Sequence, residues 1–411
     1  MTNTSLLSKD PTYFFQLEEQ YGAHNYHPLP VVLSKGRGVY VWDTEGKQYF
    51  DFLSGYSAVN QGHCHPKILK ALIEQAQRLT LTSRAFYNDQ LGLFEEYITS
   101  YFQYDKVLPM NTGVEAVETA IKLARRWAYE VKGVAANKAK IIVCEGNFHG
   151  RTSTVISFSS DPSAYTNFGP FAPGFIKIPF NDLPALEAAL CDENIAGFLV
   201  EPIQGEAGVM IPDEGYLHNA KEKCAAANVL FMADEIQTGL CRTGKLLACD
   251  HEDVKPDILI LGKALSGGFL PISAVLANDE IMLTIKPGEH GSTYGGNPLA
   301  SKVAMASLAV LKDEELAKNA EIMGTYFRNE LKEAQLPFIK EIRGKGLLNA
   351  IEIDNPNKDA AWKLCLQLMK EGLLAKPTHG DKIRLAPPLI IDQQQVDECV
   401  AIIKSAFGCL Q

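Results

Sequence analysis

Val229-Leu230-Phe231-Met232, followed after one residue by Asp234-Glu235-Ile236-Gln237, is the stretch of the chain that decides the fold. Its first half is apolar and rich in branched and aromatic residues, and its second half is polar. Four further apolar runs have the same character: Ile141 to Cys144, Ala196 to Val200, Ile258 to Leu261, and Ile272 to Leu276. Short runs that are buried on both faces, with helical stretches between them, are typical of a largely parallel sheet. The sequence therefore predicts an α/β domain.

Polar residues directly follow four of these five runs. They are Gly146 to Arg151, Glu201 to Glu206, Asp234 to Gln237, and Gly262-Lys263. Open α/β sheets bind ligands outside the carboxyl ends of their strands, so four such ends predict one composite site. Charged residues also mark strand ends without having a function. That alternative accounts for any single run, but it is weak for all four together.

Length and composition indicate a globular protein of two or three domains. The chain has 411 residues, of which 46% are hydrophobic and 21% are charged, an ordinary balance for a soluble protein. No stretch reaches the roughly 18 uninterrupted apolar residues of a membrane helix, so no membrane association is expected. Residues 1–10 have neither the pattern of a secretory signal nor that of a transit peptide. We therefore expect a cytoplasmic protein, unless a leader was removed.

The charge and the cysteines argue against several other classes of protein. The net charge is −10 and the basic residues are spread along the chain, whereas a nucleic-acid partner needs a basic face. The 9 cysteines occur singly, with no CxxC pair, which argues against a disulfide framework or a zinc site. His63-Cys64-His65 could suggest a metal, but adjacent side chains diverge on any regular element. No metal is expected.

The chain shows no repeat and no linker that would separate independent domains. We expect a large domain over residues 46–309. Residues 1–45 and 310–411, with amphipathic helices and short strands such as Leu347 to Ile353 and Lys382 to Leu385, are expected to form an N-terminal segment and a smaller C-terminal domain.

Lys263 is a candidate nucleophile because it comes directly after a buried run and small residues surround it. Burial depresses the pKa of a lysine and so favours Schiff-base formation. A lone lysine at a strand end is more often a surface residue, so the motif needs support. Asp234, at the end of the preceding strand, provides it, because a pyridoxal cofactor needs a carboxylate that keeps its ring nitrogen protonated.

Other residues near these strand ends fit the same cofactor. Gln237 could reach the ring hydroxyl, and Ile236 and Phe148 could pack on the two ring faces, with Arg151 just beyond. For Phe148 alone, plain core packing is the simpler interpretation.

Two segments are candidates for binding a phosphate. Asn111-Thr112-Gly113-Val114-Glu115 precedes a helical pattern with Val117, Ile121, Ala124 and Ala128 on one face, and Thr112 and Glu115 have capping-box spacing. A glycine at such a start lets an anion approach the free N–H groups. His290 to Asn297 is a second loop of small polar residues. The alternatives are an ordinary capped helix and a flexible turn.

Together, these motifs resemble the class III (ω-amino acid) aminotransferases, over about residues 21–388. The resemblance implies the α/β fold of the PLP-dependent transferases of fold type I (aspartate aminotransferase-like), with a mostly parallel central sheet in a large domain and a smaller α+β domain. It rests on these motifs: Asn111-Thr112-Gly113, Phe148-His149-Gly150-Arg151, Glu201-Pro202-Ile203-Gln204-Gly205-Glu206, Asp234-Glu235-Ile236-Gln237-Thr238-Gly239, Gly262-Lys263 and Gly291-Ser292-Thr293-Tyr294-Gly295-Gly296-Asn297.

The resemblance also implies the cofactor, pyridoxal 5′-phosphate (PLP), and the residues that hold it. Lys263 would attach the cofactor and move protons, and Asp234 would pair with the ring nitrogen. Gln237 would bind the ring oxygen, and Phe148 and Ile236 would sandwich the ring. Gly113 and Val114 would give N–H groups to the phosphate. Thr293 would reach the phosphate of a neighbouring subunit, which implies a homodimer with shared active sites.

Three further segments resemble the ornithine-specific branch of that family: Tyr21 to Pro28, Tyr56 to Asn60, and Lys376 to Pro388. That resemblance implies transfer of the δ-amino group of L-ornithine to 2-oxoglutarate. The products would be L-glutamate and L-glutamate 5-semialdehyde, which cyclises to pyrroline-5-carboxylate and would link arginine degradation to proline biosynthesis.

The same branch implies how substrates are held. Tyr26 and Arg151 would bind the α-carboxylate of ornithine, Tyr56 would shape the pocket, and Glu206 would pair with Arg384. His149 departs from the tryptophan of the animal enzymes, although histidine is common elsewhere in the class.

Three alternatives remain open. They are a class III transaminase for N-acetylornithine or 4-aminobutyrate, an aminomutase of the same fold, and a non-catalytic binding protein on this scaffold. The presence of Lys263, Asp234 and Gln237 together argues against the last of these.

Overall fold

The computed structural model of the protein describes residues 10–410. The expectation drawn from the first ten residues therefore lies, for residues 1–9, outside the described residues. In the described part the strands are β1 (Leu33–Arg37), β2 (Tyr40–Asp43), β3 (Gln48–Asp51), β4 (Lys106–Met110), β5 (Lys140–Cys144), β6 (Phe175–Ile178), β7 (Ile195–Val200), β8 (Leu230–Asp234), β9 (Ile258–Leu261), β10 (Ser273–Ala277), β11 (Ile339–Lys345), β12 (Leu348–Ile353), β13 (Leu373–Leu374), β14 (Lys376–Thr378) and β15 (Lys382–Leu385).

Helices alternate with these strands through most of residues 10–410. They are α1 (Pro11–Tyr21), α2 (Ser54–Ser57), α3 (Pro66–Ala76), α4 (Leu91–Phe102), α5 (Gly113–Trp127), α6 (Ser153–Ile156), α7 (Pro162–Tyr165), α8 (Leu183–Leu190), α9 (Tyr216–Ala226), α10 (Asp279–Met282), α11 (Pro298–Asp313), α12 (Leu316–Glu333), α13 (Ala360–Glu371) and α14 (Gln393–Ala406). A π-helical turn, Ala128–Lys132, extends α5, and 3₁₀ turns cover Ala248–Glu252, Lys263–Ser266 and Phe407–Leu410.

The central sheet has seven strands in the order β4-β10-β9-β8-β7-β5-β6. Strands β9, β8, β7, β5 and β6 are parallel, and β10 runs antiparallel to both of its neighbours. The predicted α/β class with a mostly parallel sheet is therefore confirmed.

One of the five predicted runs differs in direction. Ile272 to Leu276 corresponds to β10, the antiparallel strand. The connection from β9 to β10, residues 262–272, contains a 3₁₀ turn and no α-helix, and a parallel return would need a longer crossover, usually a helix.

Residues of the central strands pack on both faces of the sheet. In β7, Ala196 and Leu199 contribute to the core beneath α5, whereas Ile195, Phe198 and Val200 contribute to the core beneath α9. All five are fully buried, and each large apolar side chain buried in this way contributes about 1.5–3 kcal/mol to folding. This two-sided burial explains why the strands read as uninterrupted apolar runs.

Two smaller sheets flank the central one. Strands β11, β12, β15 and β14 form an antiparallel sheet in the C-terminal region. Strands β1, β2 and β3 form a second sheet that β13 completes by pairing in parallel with β3. The second sheet thus joins residues 33–51 to residues 373–374. The division into residues 46–309 and the two terminal segments stays a prediction.

Within residues 10–410, no helix is long and apolar enough to span a membrane, and no group of three or more His, Cys, Asp or Glu side chains could hold a metal ion. His63 Nε2 lies 2.7 Å from Asp51 Oδ2, whereas His65 Nε2 lies 3.1 Å from Glu314 Oε1. The two histidines therefore have different partners. All nine cysteines are unpaired.

Candidate active site

The carboxyl ends of the central parallel strands surround a cavity of about 260 Å³. Seven of the eight residues predicted to bind the cofactor line it: Gly113, Val114, Phe148, Asp234, Ile236, Gln237 and Lys263. The eighth, Thr293, is exposed in the loop before α11 and is not part of this lining. Phe148 is 37% exposed, so it is a cavity residue rather than a plain core residue.

Lys263 follows Gly262 at the end of β9 and has φ 41°, in the left-handed region that is uncommon for residues with a side chain. A Cβ at Gly262 would lie 3.3 Å from Ile236, so glycine lets the strand end approach Ile236 closely. Burial is the largest influence on the pKa of Lys263 and lowers it; the nearby carboxylates raise it but do not outweigh burial. A lysine with a lowered pKa is a better nucleophile at neutral pH.

Asp234 is the last residue of β8 and is 4% exposed. Its Oδ2 lies 2.6 Å from His149 Nδ1, and its Oδ1 accepts a hydrogen bond from the N–H of Ile236 at 3.1 Å. Burial opposes protonation of His149, but the hydrogen bond and the charge of Asp234 outweigh it and raise the pKa of the imidazole. Because an ionised carboxylate only accepts hydrogen bonds, Nδ1 is the donor. Two donors thus orient Asp234.

Glu201 follows the fully buried strand β7 and is 8% exposed. Its Oε2 accepts a hydrogen bond from the N–H of Phe148 at 3.0 Å. Burial raises the pKa of Glu201 to about 8; the charge of His149 and this hydrogen bond lower it, and the charges of Asp234 and Glu206 raise it. Burial therefore favours the protonated form of this carboxyl group, which lines the cavity.

Helix α5 begins at the edge of the cavity. The Thr112 side chain accepts a hydrogen bond from Glu115 N at 3.3 Å, and Glu115 Oε2 accepts one from Thr112 N at 2.7 Å. The predicted capping box is therefore confirmed. A Cβ at Gly113 would lie 3.1 Å from Ile236 Cδ1, so glycine is needed for the close packing here. The first N–H groups of a helix have no partner within it and favour an anion.

Glu206, Gln237 and Arg384 form a hydrogen-bonded group next to the cavity. Arg384 Nη1 donates to Glu206 Oε1 at 2.6 Å and to Gln237 Oε1 at 2.9 Å, and Gln237 Nε2 donates to Glu206 Oε1 at 2.9 Å. Burial opposes ionisation of Glu206, but the positive charges of Arg384 and Lys263 and these hydrogen bonds outweigh it and lower its pKa. Arg384 Nε is buried and has no partner in the described part of the chain.

Two aromatic–cation contacts lie around this group. The Arg384 guanidinium is 4.9 Å from the centroid of the Tyr56 ring, and that of Arg151 is 5.6 Å from the centroid of the Phe148 ring. Burial raises the pKa of Tyr56, and the charges of Glu206, Arg384, Tyr26 and Arg151 also act on it. The other four predicted substrate residues are therefore within electrostatic reach of Tyr56. Tyr26 itself is 72% exposed.

Sequence reasoning did not assign functional roles to His149 or Glu201. Both occur in the quoted motifs, and both lie in segments that follow buried strands. For Glu201 a signal was available, because this ionisable residue directly follows a strand that is buried on both faces. His149 and Asp234 are 85 positions apart in the chain, so no local sequence pattern indicates their contact.

A family model described as aminotransferase class-III matches residues 21–407. The chain is 63% identical over 395 residues to a rat protein named ornithine aminotransferase, mitochondrial, and the match covers 96% of this chain and 90% of the relative.

Two solved structures are also similar. One is the ornithine aminotransferase of Toxoplasma gondii, with TM-score 0.96 and 51% identity over 98% of this chain and 95% of that chain, described as having partial occupancy of PLP at its active site. The other is described as an acetylornithine aminotransferase of Elizabethkingia anophelis, with TM-score 0.90 and 60% identity over 97% and 99% of the two chains.

The expectation of a cytoplasmic protein is wrong on this comparison. The rat relative is named as mitochondrial, and so are relatives from two Drosophila species and from Caenorhabditis elegans. The expectation rested on the composition of ten residues, and targeting segments are addresses that do not take part in the fold. Close similarity over the folded chain outweighs it.

Proposed function

Because this chain belongs to the class III aminotransferases, we propose that it transfers the δ-amino group of L-ornithine to 2-oxoglutarate, giving L-glutamate 5-semialdehyde and L-glutamate. The observation that carries the proposal is the Glu206–Arg384 ion pair, 2.6 Å long, which lies beside the cavity that contains Lys263 and Asp234. Similarity to ornithine aminotransferases at 54–63% identity supports it.

The residues around the cavity fit pyridoxal 5′-phosphate, the cofactor of this family. Asp234, a carboxylate that can pair with a cation, and Lys263, a lysine that can act as a nucleophile, line the same cavity. The start of α5 offers N–H groups to an anion. Because Gly113 and Gly262 have no Cβ atom, Ile236 can pack closely against both residues. When bound, the cofactor supplies an electron sink for the carbon that loses a proton.

Lys263 and Asp234 have distinct roles in this proposal. Lys263 would hold the cofactor, and as a neutral amine it would take up and return a proton at the δ-carbon of the substrate. Its lowered pKa supports both roles, because a neutral amine is needed to attack and to accept a proton. Asp234 would hold the ring nitrogen, and the hydrogen bond from His149 orients its carboxylate. Phe148 and Ile236 would pack on the ring.

Ornithine must present its δ-amine while its α-carboxylate is held at the far end. Arg151 and Tyr26 would bind that carboxylate, and Tyr56 would shape the pocket between. An unpaired Arg384 would compete for the carboxylate and bring the α-amine to the reacting position instead. The pairing of Arg384 with Glu206 removes that competition, because Arg384 Nη1 already donates a hydrogen bond to Glu206 Oε1.

The second substrate requires Arg384 to be separated from Glu206. 2-Oxoglutarate presents a carboxylate immediately beside its reacting carbon, and Arg384 is the cation that would bind it. Its buried Nε has no protein partner in residues 10–410, so a bidentate carboxylate could use it once Glu206 moves away. Gln237, predicted to bind the ring oxygen, donates to Glu206 and accepts from Arg384, and would therefore respond to that movement.

We further propose a homodimer that shares its active sites. Thr293 is exposed and does not line the cavity of its own chain, which suits a role in the partner's phosphate site. Phe86 is 72% exposed and Tyr87 is fully exposed, and aromatic side chains of this kind are enriched at interfaces. In the cell, the product semialdehyde would cyclise and link arginine degradation to proline biosynthesis.

N-acetylornithine is the second candidate substrate, because one similar structure is described as an acetylornithine aminotransferase. It also presents a δ-amine, and its α-amine is blocked. 4-Aminobutyrate is a further donor of this class, and an aminomutase would need no oxo acid.

Isotope transfer tests the proposal directly. Ornithine labelled with ¹⁵N at the δ position should deliver its label to glutamate only when 2-oxoglutarate is present, and ornithine labelled at the α position should not. N-acetylornithine and 4-aminobutyrate, offered at equal concentration, should react more slowly. Faster transfer from N-acetylornithine, or reaction without an oxo acid, would contradict the assignment.

A further inference from the structure

The main chain of Glu206 is held by a contact that does not involve its carboxylate. Thr378 Oγ1 donates a hydrogen bond to the carbonyl oxygen of Glu206 at 2.6 Å. Thr378 lies on β14, which pairs antiparallel with β15, and β15 carries Arg384. One pair of strands therefore holds Glu206 twice, by its carbonyl oxygen through Thr378 and by its carboxylate through Arg384.

Arg343, on β11 of the same sheet, holds the residues that follow Glu206. Its Nε donates to the carbonyl oxygens of Gly208, at 2.9 Å, and Val209, at 3.2 Å. Its Nη1 donates to Glu352 Oε2 on β12 at 2.9 Å, which fixes the direction of the guanidinium. A Cβ at Gly208 would collide with the side chain of Lys382, so the segment lies directly against the C-terminal sheet.

The two side chains of the Glu206–Arg384 pair differ in their room to move. The side chain of Arg384 is 3% exposed and that of Glu206 is 22% exposed. The guanidinium is also packed on the Tyr56 ring, 4.9 Å from its centroid. When the pair opens, the side chain of Glu206 is therefore the one that moves. With its main chain held, the carboxylate can return to the same position opposite Arg384.

We propose that Thr378 and Arg343 are positioning residues that fix the main chain of residues 206–209 to the C-terminal sheet, so that Arg384 is released and recaptured by movement of the Glu206 side chain alone. The inference rests on the proposed function, because it takes the Glu206–Arg384 pair as the element that chooses between the two substrates. Selectivity for the δ-amine thus depends on two residues that act through Glu206.

Label transfer from ornithine to glutamate tests the effect on selectivity. Thr378→Val keeps the shape of the side chain but loses the donor, so Glu206 can shift away from Arg384. The ratio of α-¹⁵N to δ-¹⁵N label that reaches glutamate should rise roughly two- to tenfold, the range for one neutral hydrogen bond. Thr378→Ser keeps the hydroxyl and should retain the wild-type ratio. Thr284→Val is the matched control, because it removes a buried hydroxyl that donates to the carbonyl oxygen of Ile281 at 2.8 Å, and it should leave the ratio unchanged.

The affinity of the holoenzyme for glutarate measures the release of Arg384 without turnover. Glutarate resembles 2-oxoglutarate but lacks the oxo group, so it cannot react. Thr378→Val should bind it roughly two- to tenfold more tightly than the wild type, because a less well-placed Glu206 is easier to displace. Arg343→Lys keeps a positive charge near Glu352 but loses the Nε donor, and it should shift the affinity in the same direction. Calorimetric titration gives both dissociation constants.

The proposal requires both changes. An unchanged label ratio in Thr378→Val, even with a lower overall rate, would mean that the hydrogen bond is only structural. Unchanged or weaker glutarate binding would equally overturn the proposal. If Thr378→Val does not fold, Arg343→Lys decides by the same two measurements. Transfer of δ-label by the wild type tests the proposed function separately, so wild-type transfer together with unaltered variants would count against this inference alone.

Discussion

Burial shifts the pKa values of two residues that line the same cavity, Lys263 and Glu201, in opposite directions. Burial lowers the pKa of Lys263, and burial raises the pKa of Glu201 to about 8, because removal from water disfavours the charged form of either group. In the same surroundings, Glu206 keeps its charge because Arg384 is its direct partner. The chemistry proposed for each residue thus follows from its immediate neighbours.

Replacement of Lys263 tests the covalent attachment. Lys263→Ala should give a folded protein that binds the cofactor without a covalent link. Borohydride reduction and peptide mapping should place a pyridoxyl group on Lys263 in the wild type and on no residue in the variant. Lys70→Ala, at an exposed position on α3, is the control and should retain the label. A labelled lysine elsewhere in Lys263→Ala would rule out the assignment.

Removal of Glu206 tests the switch at Arg384. Glu206→Ala exposes the guanidinium, and changes at a close charge pair shift binding by about 2–5 kcal/mol. Ornithine should then lose its preference for δ-transfer, so that the label from α-¹⁵N-ornithine also reaches glutamate. The half-reaction with glutamate should hold or improve. Single-turnover rates for both donors measure this, and an equal fall in both would mean that Glu206 is only structural.

At the scale of an element, α2 is unusual because its turn is left-handed. Ser54, Gly55, Tyr56 and Ser57 all have positive φ, between 49° and 71°, and each residue with a side chain costs roughly 1–2 kcal/mol in this conformation. Asp51 Oδ1 accepts the N–H groups of Ser54, at 2.8 Å, and of Leu53, at 2.9 Å, which offsets part of that cost. The turn carries Tyr56 to the Arg384 guanidinium, so local strain occurs at the substrate side of the site.

Gly55→Ala tests whether the turn is strained. Its φ is 56°, and a new Cβ would meet Val59 at an ordinary 3.4 Å, so only the backbone conformation is penalised. The free energy of unfolding should fall by about 1 kcal/mol, measured by chemical denaturation at fixed cofactor concentration. Gly408→Ala is the control, because Gly408 is exposed with no atom near its Cβ and no positive φ. No loss of stability in Gly55→Ala would show that the turn is not strained.

At the scale of the whole molecule, Arg242 joins segments that are far apart in sequence. Its side chain is fully buried. It donates to Asn60 Oδ1 and to the carbonyl oxygens of Leu347 and Pro387, at 2.5–3.1 Å. Burial lowers the pKa of Arg242 to about 9, and the three acceptors compensate for desolvation of the charge. The C-terminal segments that contain Leu347 and Pro387 are thereby held against those that contain Asn60 and Arg242.

Arg242→Lys tests this connection. A lysine cannot reproduce the planar set of donors, so at least one buried acceptor loses its partner. The free energy of unfolding should fall by about 3 kcal/mol or more. Arg37→Lys, at an exposed position, should change it by less than about 0.5 kcal/mol. Equal stability of the two variants would contradict the role assigned to Arg242.

The proposed dimer gives the second test at this scale. If Thr293 completes the phosphate site of the partner, Thr293→Ala should weaken PLP binding by roughly 1.5–3 kcal/mol, the contribution of one hydrogen bond to a charged group. The apparent affinity of the wild type should also fall on dilution to monomers. Thr325→Ala, exposed on α12, should leave affinity unchanged. A fully active monomer would refute the shared site.

The sequence alone determined five of the seven strands of the central sheet and most residues of the cavity. Lys382–Leu385 and Ile258–Leu261 occur as strands with the expected bounds, and the capping box at Thr112 is present. These features depend on local periodicity and on residues within a few positions of one another. The composite site also followed, because strands that are parallel bring their carboxyl ends to one edge.

Only the tertiary structure decided which side chains meet across that edge. The direction of β10, the pairing of β13 with β3, and the partners of Asp234, Gln237 and Arg384 all join segments distant in the chain. These features depend on how helices and sheets pack together, and the spacing of residues in the sequence does not indicate that packing. The same holds for charge: the pKa of Glu201 is raised because folding buries it beside two other carboxylates, which its place after β7 does not reveal.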